Sequence, residues 1–139
     1  EGLDITFSRV AMRPGKPLIF GKINGIPMLG LPGNPVSAGV TAALFLRPAI
    51  SKMLGAEDTT HVTETAVLGL DLAENDKRQD YIRATLTIGG DGALTATPFD
   101  RQDSSMLARF AEADCLVIRA PFAEPIKAGE RVEIIRLDG

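Results

Sequence analysis

The 139-residue sequence is 45% hydrophobic and 24% charged, the balance of a globular protein built as one ordinary domain or two small units. A net charge of −3 and a pI of 5.1 argue against binding to nucleic acid. The sequence also contains no apolar run long enough to cross a membrane and no signal-peptide pattern, so the expected location is cytoplasmic.

The charge is unevenly spread. Between Phe7 and Lys22 the charged residues are Arg9, Arg13, Lys16 and Lys22, whereas acids concentrate from Glu57 onward. A basic segment in an acidic chain points either to a small anionic substrate or to a solvated cationic strand face. Ile5 to Met12 reads as a strand that Arg13-Pro14-Gly15-Lys16-Pro17 then breaks, because two prolines and a glycine cannot continue a ladder. Leu18–Ile23 and Ile26–Leu29 read as strands joined by an Asn24-Gly25 hairpin turn.

Gly30-Leu31-Pro32-Gly33-Asn34-Pro35-Val36-Ser37-Ala38 comes next. Gly30 and Gly33 would let backbone amides approach a ligand, Asn34 is a favoured N-cap, and Pro35 suits the first helical position. Apolar residues at Val36, Val40, Ala43, Leu44, Ile50, Met53 and Leu54 trace one helical face. Pro48 should kink that helix by removing the bond to the Leu44 carbonyl, and Gly55 should end it. A helix N-terminus fed by this loop offers donors to an anion through Ser37 and the amides after Asn34. The same residues also suit a tight connector. The helix's apolar face is expected to need cover from another chain or from sequence upstream.

From Glu57 the pattern alternates, and a boundary falls near residues 55–60. Residues 1–56 are read as one unit of strands and a helix, and residues 57–139, with several short strands and turn signals, as a small all-β barrel or sandwich. Strands are expected over Val62–Leu72, Asp80–Ile88, Ala93–Thr97, Asp114–Ala120 and Arg131–Leu137. Asp103-Ser104-Ser105 would cap a short helix over Met106–Glu112. Cys115 lies in an apolar run and reads as a buried structural thiol, and His61 reads as a solvated strand-edge residue with no metal partners. Asp71, Glu74, Asp76, Lys77 and Arg78 read as a solvated charge cluster.

Met12-Arg13-Pro14-Gly15-Lys16-Pro17, then Phe20-Gly21, then Gly30 to Ala38, in this order and spacing, resemble the molybdopterin molybdenumtransferase family, which includes bacterial MoeA and the E domain of gephyrin. The resemblance runs over nearly the whole chain but corresponds to the C-terminal part of a family member. It implies a MogA-like, molybdopterin-binding α/β piece followed by a β-barrel. It also implies molybdenum cofactor biosynthesis: molybdate is inserted into adenylated molybdopterin, Mg2+ assists, and AMP is released. Arg9 and Arg13 match positions that are often lysine in the family, and Lys16 follows in the same turn. Pro32 and Pro35 would shape the loop around Gly33 and Asn34. Arg83 and Ser104 fall where family members line the cleft, although each could be an ordinary surface residue. The family's Gly-rich segment and metal-binding carboxylates would lie upstream of Glu1, so no complete catalytic set and no metal site is expected here. The isolated chain is expected to be inactive and its parent a homodimer. A molybdopterin adenylyltransferase and a gephyrin-type scaffold are the alternatives; the first is disfavoured by the all-β second unit.

Overall fold

The computed structural model describes residues 2–102 and 107–137. The chain opens on an antiparallel three-stranded sheet in the order β1 (Leu3–Phe7), β3 (Ile19–Ile23), β4 (Ile26–Gly30). Asn24 and Gly25 turn β3 into β4 with φ of 50° and 80°, the left-handed pair that a two-residue hairpin demands. Gly21 permits the close approach of β1, since a Cβ there would lie 3.0 Å from the Ile5 Cα.

The single strand expected over Ile5–Met12 is instead broken. The register shifts between Ile5 and Phe7, and the Val10 N–H donates to the Lys16 carbonyl, folding the chain into a tight loop. Strand β2 (Met12–Arg13) leaves the first sheet and pairs in parallel with Gln79 and Asp80 of β6 (Gln79–Ile88).

Asn34 caps α1 (Pro35–Thr41) as its chemistry requires. Its side-chain oxygen accepts from the Val36 and Ser37 amides, and Pro35 occupies the first turn. A π-helical turn (Ala42–Leu46) then leads into α2 (Arg47–Met53). The local departure from α-helix precedes Pro48, which has no N–H to give to the Leu44 carbonyl. That carbonyl is met by His61, whose Nε2 lies 2.8 Å away. A carbonyl only accepts, so Nε2 carries the proton. His61 is therefore half-buried and bonded, and precedes the next strand instead of edging it, correcting the solvated strand-edge expectation. The helix stops at Gly55 (φ 94°), with the Gly55 amide on the Lys52 carbonyl and the Ala56 amide on that of Ser51.

Strand β5 (Glu64–Leu68) is shorter than the expected Val62–Leu72, and Leu72 instead makes an isolated bridge to Ile126. With β6, β7 (Leu94–Pro98), β8 (Cys115–Arg119) and β9 (Arg131–Arg136) it closes a five-stranded barrel in the order β6-β7-β5-β9-β8, sealed by β8 on β6. The barrel interior holds Leu68, Ile82, Ala84, Val117 and Ile134 together with Cys115, which is fully buried as its apolar setting predicts. A short helix, α3 (Leu107–Ala111), comes after residues 103–106; the expected cap at Asp103-Ser104-Ser105 lies outside the described residues.

A second cluster joins the two halves. Val40 and Leu44 pack with Met12 against Leu116 of β8 and Ile135 of β9. The helix face expected to need another chain is thus covered by the barrel, as far as Leu44. Its far end, at Ile50, Met53 and Leu54, stays exposed. Replacing Leu116 by Ala should cost about 2–5 kcal/mol, because the transfer term and a cavity add at a site wedged between elements. His61→Ala should cost about 1 kcal/mol by stranding the Leu44 carbonyl. Urea unfolding of the two variants checks both values.

Candidate functional site

The docking of α1 on the barrel brings Ser37 beside β6, and two adjoining clefts open along this seam. The smaller, about 240 Å³, is walled by the Met12–Pro17 loop, Ser37, Arg78, Asp80, Tyr81, Arg83 and Gln102. The larger, about 620 Å³, runs from Arg9, Val10 and Ala11 to Lys77, Arg78 and Phe122. Lys16 and Arg78 line both.

Lys16 is presented by the turn after Pro14, where Gly15 holds φ at 110° and a Cβ would run into the Thr41 side chain. Thr41 is itself fixed, its hydroxyl donating to the Ser37 carbonyl at 2.7 Å. This places the basic turn against α1 at Thr41, the last residue of the helix.

Arg13 is engaged by acids. Its Nε and Nη2 fork onto the two Asp80 oxygens at 3.0 and 2.6 Å, and Nη1 reaches Asp76 at 3.3 Å. Arg78 holds the same Asp76 oxygen at 3.0 Å. The hydrogen bonds to Asp80 raise the pKa of the Arg13 guanidinium against its partial burial. Two members of the cluster read as solvated charges, Asp76 and Arg78, therefore belong to a network that ties β2 to β6 and to the 75–78 turn, while Asp71 pairs with Lys127 elsewhere. Much of the charge of Arg13 is already answered there.

Arg83 departs further from expectation. The alternation of β6 puts it on the polar face, but that face is covered, and Arg83 is only 3% exposed. Its backbone is held by Gln102, whose side-chain oxygen accepts from the Arg83 N–H at 2.9 Å while its amide donates to the Arg83 carbonyl at 3.0 Å. A side chain thus acts as one more residue of strand along β6, and the ordinary-surface reading of Arg83 is set aside.

Of the residues singled out in the sequence, the structure brings Arg13, Lys16, Ser37 and Arg83 to one cleft and Arg9 to its neighbour. Pro32, Gly33, Asn34 and Pro35 lie outside both linings; the Asn34 oxygen takes the Val36 and Ser37 amides, so these do not stand open to an anion as expected. Ser104 lies outside the described residues. Sequence reasoning did not single out Asp80, Gln102, Lys77 or Phe122 for the site. Asp80 opposes Arg13 across a two-residue parallel pairing too short to leave a periodic trace. Among the described residues, no group of three His, Cys, Asp or Glu side chains is placed to hold a metal.

Comparison with known proteins places this arrangement. The family model described as MoeA C-terminal region (domain IV) matches residues 65–137. The chain belongs to this family. A model described as a probable molybdopterin binding domain matches residues 1–52. The molybdopterin molybdenumtransferase of Haemophilus influenzae is 32% identical over 133 residues, covering 94% of this chain and 32% of the relative. That of Bacillus subtilis is 31% identical over 134 residues, covering 96% of this chain and 31% of the relative. The chain thus spans about a third of the length of these relatives. Two solved structures of the molybdopterin biosynthesis MoeA protein from Pyrococcus horikoshii match with TM-scores of 0.80 and 0.73, at 28% and 24% identity. They cover 99% and 96% of this chain, which spans 33% and 32% of theirs, and they establish the α/β-plus-barrel fold.

The Asp76 carboxyl is held down to about 2 by the Arg78 side chain and amide, with Arg13 adding to the attraction. A carboxyl depressed from the ordinary 3.8 stabilises the fold above that value, and the contribution fades as pH falls through about 2. Asp76→Asn should therefore be less stable than the unaltered chain from neutrality down to about pH 4. The difference should close as pH approaches 2. Unfolding curves of the pair across this range test the sign.

Proposed function

We propose that the chain serves molybdenum cofactor biosynthesis by forming one wall of the site where molybdate is inserted into adenylated molybdopterin with release of AMP. The observation that carries this reading is the concentration of Arg9, Lys16, Arg78 and Arg83 along the adjoining clefts of a chain whose net charge is −3. At physiological salt, fields are screened beyond about 8 Å, so cations within the cleft, and not the net charge, decide whether an oxyanion stays.

Each wall residue has a distinct part. Lys16 supplies a mobile point charge at the mouth, and Arg83 a buried fork whose backbone Gln102 fixes. The Ser37 side chain lines the same cleft and can donate to an oxyanion. Arg13, bound to Asp80 and Asp76, acts chiefly by holding the wall in place, and Arg9 extends the positive lining toward the second cleft. Pro32, Gly33, Asn34 and Pro35 set the entry of α1 and hence the position of Ser37. Ser104 completes the set that the family resemblance implies.

The same resemblance supplies Mg2+, a homodimeric parent and a cytoplasmic setting. Among the described residues no His, Cys, Asp or Glu cluster is placed to hold Mg2+. Because the chain spans about a third of the length of its relatives, alone it should bind the oxyanion but give no molybdate insertion. Isothermal titration of molybdate into the chain tests the wall. Lys16→Ala and Ser37→Ala should each weaken binding about tenfold, and raised salt should weaken it further. Affinity indifferent to both substitutions would overturn the assignment, and turnover by the chain alone would overturn the expectation of inactivity.

A further inference from the structure

The smaller cleft contains a hydroxyl that has no part yet. Gln79, Tyr81 and Arg83 alternate onto one face of β6. Tyr81 lines the cleft together with Lys16, Ser37 and Arg83. Its half-buried ring packs against the cluster of Met12, Val40, Leu44, Leu116 and Ile135. The ring is thus held by the same apolar contact that docks α1 on the barrel.

The hydrogen bonding of the phenol decides what it can do. The Gln79 side-chain amide donates to the Tyr81 hydroxyl oxygen at 2.8 Å. An amide N–H uses a lone pair of that oxygen and leaves the phenol's own proton to be donated elsewhere. Among the described residues no acceptor takes that proton. Burial raises the pKa of the phenol above its ordinary value, against the smaller opposing pull of the Gln79 bond. At neutral pH the proton therefore stays on the oxygen.

Such a hydroxyl is a directed donor that carries no charge. A lysine attracts an anion from many directions, because its ammonium is a point charge on a flexible stem. A phenol fixed by packing and by Gln79 offers one O–H from one place. Bonds from a hydroxyl to an ionised oxygen are short and about twice as strong as those between neutral groups. The donor therefore rewards an anion whose oxygen sits at that place, a selection that charge alone does not supply.

We propose that Tyr81 is a further binding residue of the smaller cleft, donating its phenolic O–H to an oxygen of the oxyanion that Lys16, Ser37 and Arg83 also hold. The inference rests on the oxyanion reading of this cleft given under Proposed function, and adds to it a neutral and fixed donor.

The sequence has one tyrosine and no tryptophan, so the tyrosine band of the near-ultraviolet circular dichroism spectrum arises from Tyr81 alone. Molybdate is achiral and contributes nothing to that band when free. Titrating molybdate into the chain should change the band, with the same midpoint that isothermal titration gives. Tyr81→Phe keeps the packed ring and removes only the hydroxyl. It should weaken molybdate binding about tenfold, the scale of one hydrogen bond to a charged group. The proposal requires both results. Unchanged affinity in Tyr81→Phe means that the hydroxyl does not donate, and a band that stays still during titration means that any loss of affinity came from the packing of the wall. Either outcome overturns the role of Tyr81 and leaves the oxyanion reading in place. If the unaltered chain does not bind molybdate, the oxyanion reading falls and the role of Tyr81 falls with it.

Discussion

The face of α1 that carries Val40 and Leu44 is buried against Leu116 and Ile135, with Met12 wedged alongside. Each such side chain removed from water contributes about 1.5–3 kcal/mol, and none of that energy is directional. Direction comes from what is attached. Ser37 sits one turn before Val40, Arg13 directly succeeds Met12, and Leu116 pairs with Arg83 across β8 and β6. One apolar contact therefore sets the relative positions of a hydroxyl and two guanidinium groups that belong to three separate elements. Without it, the three-stranded sheet and the barrel would be linked mainly by the two residues of β2 and the Arg13 ion pairs.

Electrostatics then divides the cations by task. Arg13, Arg78 and Arg119 are spent internally, on Asp80, on Asp76 and on three backbone carbonyls. Arg9, Lys16 and Lys77 keep their charge for whatever enters the clefts. An acidic sequence can accommodate an anion in this way because, among the described residues, the carboxylates lining the two clefts, Asp76 and Asp80, are already paired.

The parts legible in the sequence are those in which cause and effect lie a few residues apart. Asn34-Pro35 as a helix start, Asn24-Gly25 as a turn, Gly55 as a stop and Cys115 as core each come from local chemistry, and so do the short alternating strands of the barrel. What escapes the sequence depends on distant partners. The carboxylate for Arg13 lies 67 residues away, and the donor for the Leu44 carbonyl lies 17 residues away. Period-two alternation correctly separates Arg83 from Ile82 and Ala84, but alternation reports only which residues share a face. Whether that face meets water depends on the chain around Gln102. The expectation of a single long first strand fails for a related reason: the hydrophobic pattern continues past Phe7, while the Val10 amide turns to Lys16 instead of a neighbouring strand.

The ten residues of β6 serve three neighbours, β2 and β8 along its first half and β7 along its second. Side chains along a strand alternate strictly, so adding or removing one residue between Gln79 and Ala84 would turn Arg83 into the barrel interior and a methyl group toward the cleft. It would also move Asp80 away from Arg13. Length changes that spare the site are therefore confined to the segments flanking this strand, such as the Gly89–Gly92 turn. In comparisons across homologues, the stretch from Gln79 to Ala84 should be free of gaps even where its residue identities drift, which makes it a fixed ruler against which the rest of the barrel can be aligned.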